Sequence, residues 1–336
     1  MIQLSIAMAA ATSRQQVFVS GFGGITYHEK WKRAYGDKLI TQIRSISDMK
    51  KGDILFFNEG MGCEHMGKVP DGVAVYIYVL AAYRGCKSSD MHFISHNHHL
   101  LNFENLRLPK ERLIHPYLGE SFINMAHQRG LQHDGSIVYS KMTYRSKKRN
   151  LVLVDSDVPE SVKRIISEVS KSLGGESLVL AGLNQEDLIN AYESAKIVTD
   201  WCMRGSERCI LEASLFGALV AVNQCETGSD FHDLPISAQF IFNHTNSDGR
   251  DSDKENEALY NKSLPMYQRL RADYTAIISR GFKDYWRHLD DFEPLRRSIL
   301  SHNSITMVKE AIRMLATHGL SPTEMEQVSA IKCVGC

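Results

Sequence analysis

The stretch that most constrains this chain runs from Ala195 to Asn223, AKIVTDWCMRGSERCILEASLFGALVAVN. It opens with a β-rich run, Ala195 to Asp200, and reaches a polar Gly-Ser-Glu-Arg turn at Gly205 to Arg208. A helical pattern follows from Cys209 to Phe216, closed by Gly217, and a second apolar run, Ala218 to Val222, ends at Asn223. Strand, polar turn, helix, glycine, strand is the order of a parallel α/β sheet. There the carboxyl end of a strand and the amino end of the next helix meet in a crevice. Backbone N–H groups and the helix dipole make that crevice favourable for an anion such as a diphosphate. Arg208, at the helix start, can grip phosphate through paired donors, with Ser206 and Glu207 beside it in the turn. Glu212 stands four residues on, on the same helix face, where a carboxylate can accept two hydrogen bonds from a ribose diol. The same two residues also fit a plain i,i+4 ion pair, with Glu207 facing the dipole.

The order of elements extends upstream. Asn150 to Asp155 reads as a strand, Glu160 to Leu173 as a helix, Ser177 to Ala181 as a strand and Gln185 to Ser194 as a helix. In the first half, Gln16 to Ser20 is a short β-type run entering Gly21-Phe22-Gly23-Gly24, where glycines allow a ligand or another backbone to approach closely. Asp53 to Asn58 reads as a buried strand, Val73 to Tyr83 as a helix, Met91 to Ser95 and Leu113 to Pro116 as strands, and Ser121 to Arg129 as a helix. The basic connector Tyr144 to Arg149 precedes the clean apolar strand Leu151 to Val154. A domain boundary placed there divides the chain into 1–148 and 149–336. Gln239 to Asn243 is the next strand, and helical spacing runs from Glu257 to near Leu315.

Two loops at strand carboxyl ends carry further candidate groups. His96 and His98 follow Met91–Ser95, where an imidazole could bond a sugar or accept a proton, and Glu64 lies with Glu59 and His65 after Asp53–Asn58. His-x-His can also ligate zinc, but no carboxylate stands at a recognisable ligand spacing, so no metal ligands are assigned. After the opening stretch, Gly228 and Ser229 in CETGSDFHDLP could offer backbone N–H groups to phosphates. That loop equally fits a plain polar connection.

The segment from Arg149 to Pro235, with Leu211-Glu212-Ala213 and Gly217, resembles the nucleotide-binding segment of group 1-like glycosyltransferases with the GT-B fold. The resemblance implies an α/β fold of two Rossmann-like domains with C-terminal helices, facing each other across a cleft. It implies a nucleotide-sugar donor in the second domain and a glycan or other hydroxyl acceptor in the first, with no separate cofactor. It gives the donor ribose to Glu212, the donor phosphates to the Gly228–Ser229 loop, and the sugar and acceptor to the loop with Gly23 and Gly24. Where many members carry a second glutamate eight residues before the first, this chain has Arg204, with Glu207 close by. Where members often carry Arg or Lys after the first strand of this domain, it has Asp155-Ser156-Asp157, leaving Arg208, Arg204 or the Lys/Arg run before the strand to meet phosphate. The family's last helices commonly cross back onto the first domain, and Phe282 to Arg287 is the expected crossing. Two other readings stay open: a non-catalytic nucleotide-sugar binder, and a metal-dependent hydrolase built on the histidines.

Bulk properties narrow the partners. The 336 residues allow two ordinary cores, and 39 basic against 39 acidic side chains leave no net basic charge for a sequence-independent grip on nucleic acid. No apolar run approaches the ~20 residues of a membrane span. Seven scattered cysteines fit reduced thiols in a cytoplasmic setting.

Overall fold

The structure, a computed structural model, describes residues 17–20, 40–41, 47, 54–58, 69–72, 74–79, 91–101, 113–116, 118, 120–129, 147–201, 203, 207–224, 226–242, 261–302 and 331–334. Of the candidate site residues singled out above, Gly23, Gly24, Glu59, Glu64, His65, Arg204 and Ser206 lie outside these, as does the side chain of Ser229.

In chain order the elements are β1 (Val17–Ser20), β2 (Ile40–Thr41), β3 (Ile54–Asn58), β4 (Ala74–Val79), β5 (Met91–Ser95) and helix α1 (Glu120–Arg129). They continue with β6 (Arg149–Val154), α2 (Glu160–Ser172), β7 (Glu176–Val179), α3 (Gln185–Ser194), β8 (Ala195–Thr199), α4 (Arg208–Leu215) and β9 (Leu219–Asn223). Last come β10 (Ile241–Phe242), α5 (Pro265–Lys283), α6 (Tyr285–His288), α7 (Glu293–His302) and β11 (Ile331–Val334). The chain parts into two compact units, 1–120 with 301–336, and 121–300. The first holds a parallel sheet in the order β2-β1-β11-β3-β4-β5. The second holds a parallel sheet in the order β10-β9-β8-β6-β7.

In the second unit, β6 and β9 are continuous apolar runs because both their faces are covered: Leu151–Val154 and Leu219–Val222 are buried throughout. On α2, Val162, Ile165, Ile166 and Val169 recur at helical spacing and are fully buried. Asn184 caps α3 by accepting from the Asp187 N–H at 2.9 Å, and Glu186 and Asp187 complement the dipole in the first turn. Gly217 closes α4 at φ 83°, a left-handed conformation that a side chain would strain. Gly281 lets α5 rest on β8, for a Cβ there would stand 2.5 Å from Ile197 Cδ1.

The strand order places the site. From β6 the chain moves to β7 on one side, then returns through α3 to β8 on the other side of β6. With right-handed crossovers, that reversal puts α2 and α3 on opposite faces and opens a crevice beyond the carboxyl ends of β6 and β8.

Three expectations need correction. Residues 74–79, expected within a helix, form β4, paired from Ile54↔Ala74 to Asn58↔Tyr78 and with β5. AVYIYV is all β-branched and aromatic after its first alanine, a composition that packs better on a pleated surface. The expected strand from Gln239 is a 3-10 turn, Ala238–Phe240, followed by the two residues of β10. The C-terminal helices are present as expected, three of them among the described residues. Pro265 starts α5 at its first turn, Asp284 ends it, and a 3-10 turn at Asp290–Phe292 leads into α7. Phe282 to Arg287 packs within the second unit. The Phe282 ring lies against Gly175, and the Tyr285 hydroxyl donates to Gly217 O at 2.7 Å.

Candidate functional site

Asp155 leaves β6 and Asp200 leaves β8 at the reversal. The Asp155 N–H donates to Thr199 O at 3.1 Å, which ties the two strand ends together. Oxygens of Asp155, Asp157 and Asp200 lie within 4.8 Å of one another, the one such ligand group among the described residues. Three hard oxygen donors so placed could hold a divalent cation, whose charge would offset theirs. Asp200 is 2% exposed and accepts from the Trp201 N–H at 2.6 Å. Burial, then Glu207, Asp155 and Asp157, pushes its carboxyl well above the usual range.

Glu207 occupies the N-cap of α4 with extended backbone, yet its side chain makes no capping hydrogen bond. Burial, with Asp157 and Asp155 nearby, raises its pKa to about 7. The Cys209 thiol donates to Asp155 Oδ2, and burial pushes it well above its usual range. The mouth of α4 therefore carries four carboxylates where the sequence suggested a positive crevice.

One turn deeper the chemistry changes. Glu212 is 4% exposed, and both its oxygens are engaged: Arg208 Nε donates to Oε1 and the Tyr192 hydroxyl donates to Oε2 at 3.0 Å. Burial raises the Glu212 pKa, while the charge and hydrogen bond of Arg208 and the hydroxyl of Tyr192 pull it back. Tyr192 is held by α3, buried at 1% exposure, its ring stacked on Phe216 at 6.0 Å. Arg208 differs, with 52% of its side chain exposed. The plain i,i+4 pair is thus formed, and since each oxygen keeps a second lone pair, it is burial under its neighbours that closes Glu212 to a ribose diol.

Gly228 is explained by packing as well as by any ligand. A Cβ there would stand 2.6 Å from Asn223 O, and the neighbouring Thr227 N–H donates to Met203 O at 3.0 Å. The basic connector does not supply phosphate partners from its described part. Lys148 is buried, with Nζ donating to Tyr192 O at 3.1 Å and Ala195 O at 2.6 Å, where it ties the end of α3. Lys147 pairs with Glu193 and Arg149 with Glu176, at the amino end of β6, opposite the crevice.

In the first unit, Ser95 pairs with Leu113, and the Ile114 N–H donates to Ser95 O at 2.8 Å. That pairing sets the loop with His96 and His98 beside His115. Asn97 shapes the loop by accepting from the Leu100 N–H at 2.9 Å. His115 stacks on His302 with centroids 3.8 Å apart and planes 18° from parallel. Burial, then His302, His96 and His98, lowers the His115 pKa to about 3. Among the described residues no three of these imidazoles bring ligand nitrogens within one ion's reach.

Tyr192, Asp200, His115 and His302 were not candidates from the sequence. Asp200 had a signal, a carboxylate at the end of an apolar strand. The other three meet their partners only through the fold.

No family model matches the chain, and no curated protein matches it. Among solved structures it is similar to "Crystal structure of AviGT4, a glycosyltransferase involved in Avilamycin A biosynthesis". That match has 11% identity and a TM-score of 0.45, covering 85% of this chain and 88% of that one. No helix among the described residues is long and apolar enough to cross a membrane.

Proposed function

We propose that the chain is a glycosyltransferase that moves a sugar from a nucleotide-sugar to an acceptor hydroxyl, with two Rossmann-like domains in the GT-B arrangement and no obligatory metal. One observation carries the reading. A buried carboxylate, Glu212, lies one turn inside the helix that follows β8, beside the reversal of strand order, with an arginine on one oxygen and a tyrosine on the other. Open parallel sheets bind ligands at that place. The Leu-Glu-Ala-and-glycine likeness of the sequence supports a nucleotide as the ligand. In this reading Glu212 holds the ribose. Arg208, the amino end of α4 and the N–H groups near Gly228 meet the leaving diphosphate, stabilising charge as it develops. His96, His98 and Glu64 are the proposed groups on the sugar and acceptor side.

Thermal shift against nucleoside diphosphates and nucleotide-sugars tests the reading, since a ligand selective for the native state raises its melting point. Glu212→Ala is expected to weaken the best ligand by about 1–3 kcal/mol, the cost of leaving charged hydrogen-bond partners unmet. Unchanged affinity in calorimetry removes Glu212 from the site. A chelator that abolishes transfer contradicts the metal-independent form.

The acidic cluster of Asp155, Asp157 and Asp200 at the mouth of α4 favours a second reading, a nucleotide-sugar binder that does not turn over, because acidic side chains, unlike cations, do not stabilise negative charge building up on a leaving diphosphate. Donor binding without transfer or donor hydrolysis, across a broad acceptor panel, decides for it.

A further inference from the structure

Glu212 has two partners that differ in what it costs to remove them. The Tyr192 hydroxyl is buried on a ring packed against Phe216, so leaving Glu212 would strand it. Arg208 has half its side chain in solvent, and its guanidinium can be hydrated or paired elsewhere as soon as it swings off. The two oxygens are therefore not equivalent. Oε2 is fixed by Tyr192, and Oε1 is closed by a movable cation.

We propose that Arg208 is an exchangeable cap on Glu212, which a diphosphate draws away so that the ribose can take its place. This rests on the nucleotide reading above and adds an order of dependence to it. A nucleoside without phosphates must break the Arg208–Glu212 pair and offers the guanidinium nothing in return. A nucleoside diphosphate breaks the same pair and supplies a better partner, since guanidinium meets phosphate through paired donors. The ribose and the diphosphate thus bind cooperatively through one side chain, and the site selects against free nucleosides and for their diphosphates. Tyr192 is a positioning residue in this scheme. It holds the carboxylate in place whether Arg208 is on or off.

The scheme reverses the sign expected of a simple phosphate contact. Calorimetry with common ribonucleosides and their 5′-diphosphates would be run on the full chain, on Arg208→Met, which keeps the stem, and on Arg208→Ala. With the cap gone, nucleoside affinity is expected to rise about three- to tenfold, the scale of a charged hydrogen bond no longer to be broken. Diphosphate affinity is expected to fall about tenfold or more as its partner is lost. Tyr192→Phe should weaken nucleoside and diphosphate by the same factor and lower the melting point, because a buried carboxylate oxygen loses its donor. Carboxyl NMR of Glu212 supplies a readout without nucleotide: its pKa should rise in Arg208→Met, because a cation and a donor leave a buried carboxylate.

Nucleoside affinity that is unchanged or weaker in both Arg208 variants, with diphosphate affinity lowered, overturns the exchange while leaving the nucleotide site standing. Failure of the parent protein to bind any nucleoside or diphosphate overturns both, and a Glu212 pKa that still responds to Arg208 then identifies a purely structural pair.

Discussion

At the carboxyl end of β5 the chain gathers imidazoles; at the carboxyl ends of β6 and β8 it gathers carboxylates. Burial is the largest influence at both, and it drives the two chemistries toward the same neutral condition from opposite sides. His115 is held down and Asp200 and Glu207 are held up, because a low-dielectric setting penalises whichever form is charged. Like-charged neighbours reinforce the effect in each cluster. Glu212 is raised as well, yet it carries a counterweight. It is buried as they are, but Arg208 and Tyr192 act against burial. Burial acts on Glu212 against a cation and a hydroxyl donor, whereas at Asp200 and Glu207 burial and acidic neighbours push the same way. The guanidinium of Arg208 on one oxygen distinguishes the proposed binding group from the rest.

The sharpest way to break this comparison is to titrate its two sides. The folded pKa of His115, about 3, is below its ordinary 6.5, so the stability it contributes is present in full above about 6.5 and is lost as pH falls toward 3. The loss is expected to be on the order of a few kcal/mol, and histidine NMR should show His115 uncharged at pH 5. Titration of that ring near 6.5 would mean that the stacked pair with His302 does not persist in solution. Glu207 has the opposite sign. Its folded pKa of about 7 is above the ordinary 4.5, so its contribution is full below about 4.5 and is lost as pH rises through 7. Glu207→Gln should therefore raise stability at pH 8 by about 1–2 kcal/mol and change it little at pH 4. Equal effects at the two pH values would show that the side chain acts through packing instead.

The second unit was legible in its sequence because each of its elements announces itself locally. Strands buried on both faces read as LVLV and LVAV, α2 repeats its apolar residues at helical spacing, and Gly217 marks the end of α4. β4 misled because an apolar run of its length fits a buried helix as well as a strand, and only its β-branched and aromatic composition separates them. Arg208 and Glu212 share one helix, so their pairing could be read directly. The hydroxyl of Tyr192 could not, since α3 and α4 must pack before it reaches Oε2. The acidic group depends on strand order: Asp155 and Asp200 meet because β8 returns to the side of β6. His302 meets His115 for the same kind of reason, through a contact between distant segments that leaves no local pattern.

The smallest expected effect sharpens the comparison from the other end of β6. Arg149 and Glu176 stand 3.8 Å apart at the amino ends of neighbouring strands, with 60% and 72% of their side chains in water. They carry the same charges as Arg208 and Glu212 without the burial. Solvent screens such a pair and side-chain entropy opposes it, so a double-mutant cycle with Arg149→Ala and Glu176→Ala should give a coupling below about 0.5 kcal/mol. Salt should weaken even that, since screening acts most on exposed charges. The matching cycle on Arg208 and Glu212 should give a larger coupling that salt changes less, because the carboxylate is buried. Two equal couplings would mean that half-exposed Arg208 brings solvent to Glu212, and desolvation could then no longer be what sets that site apart.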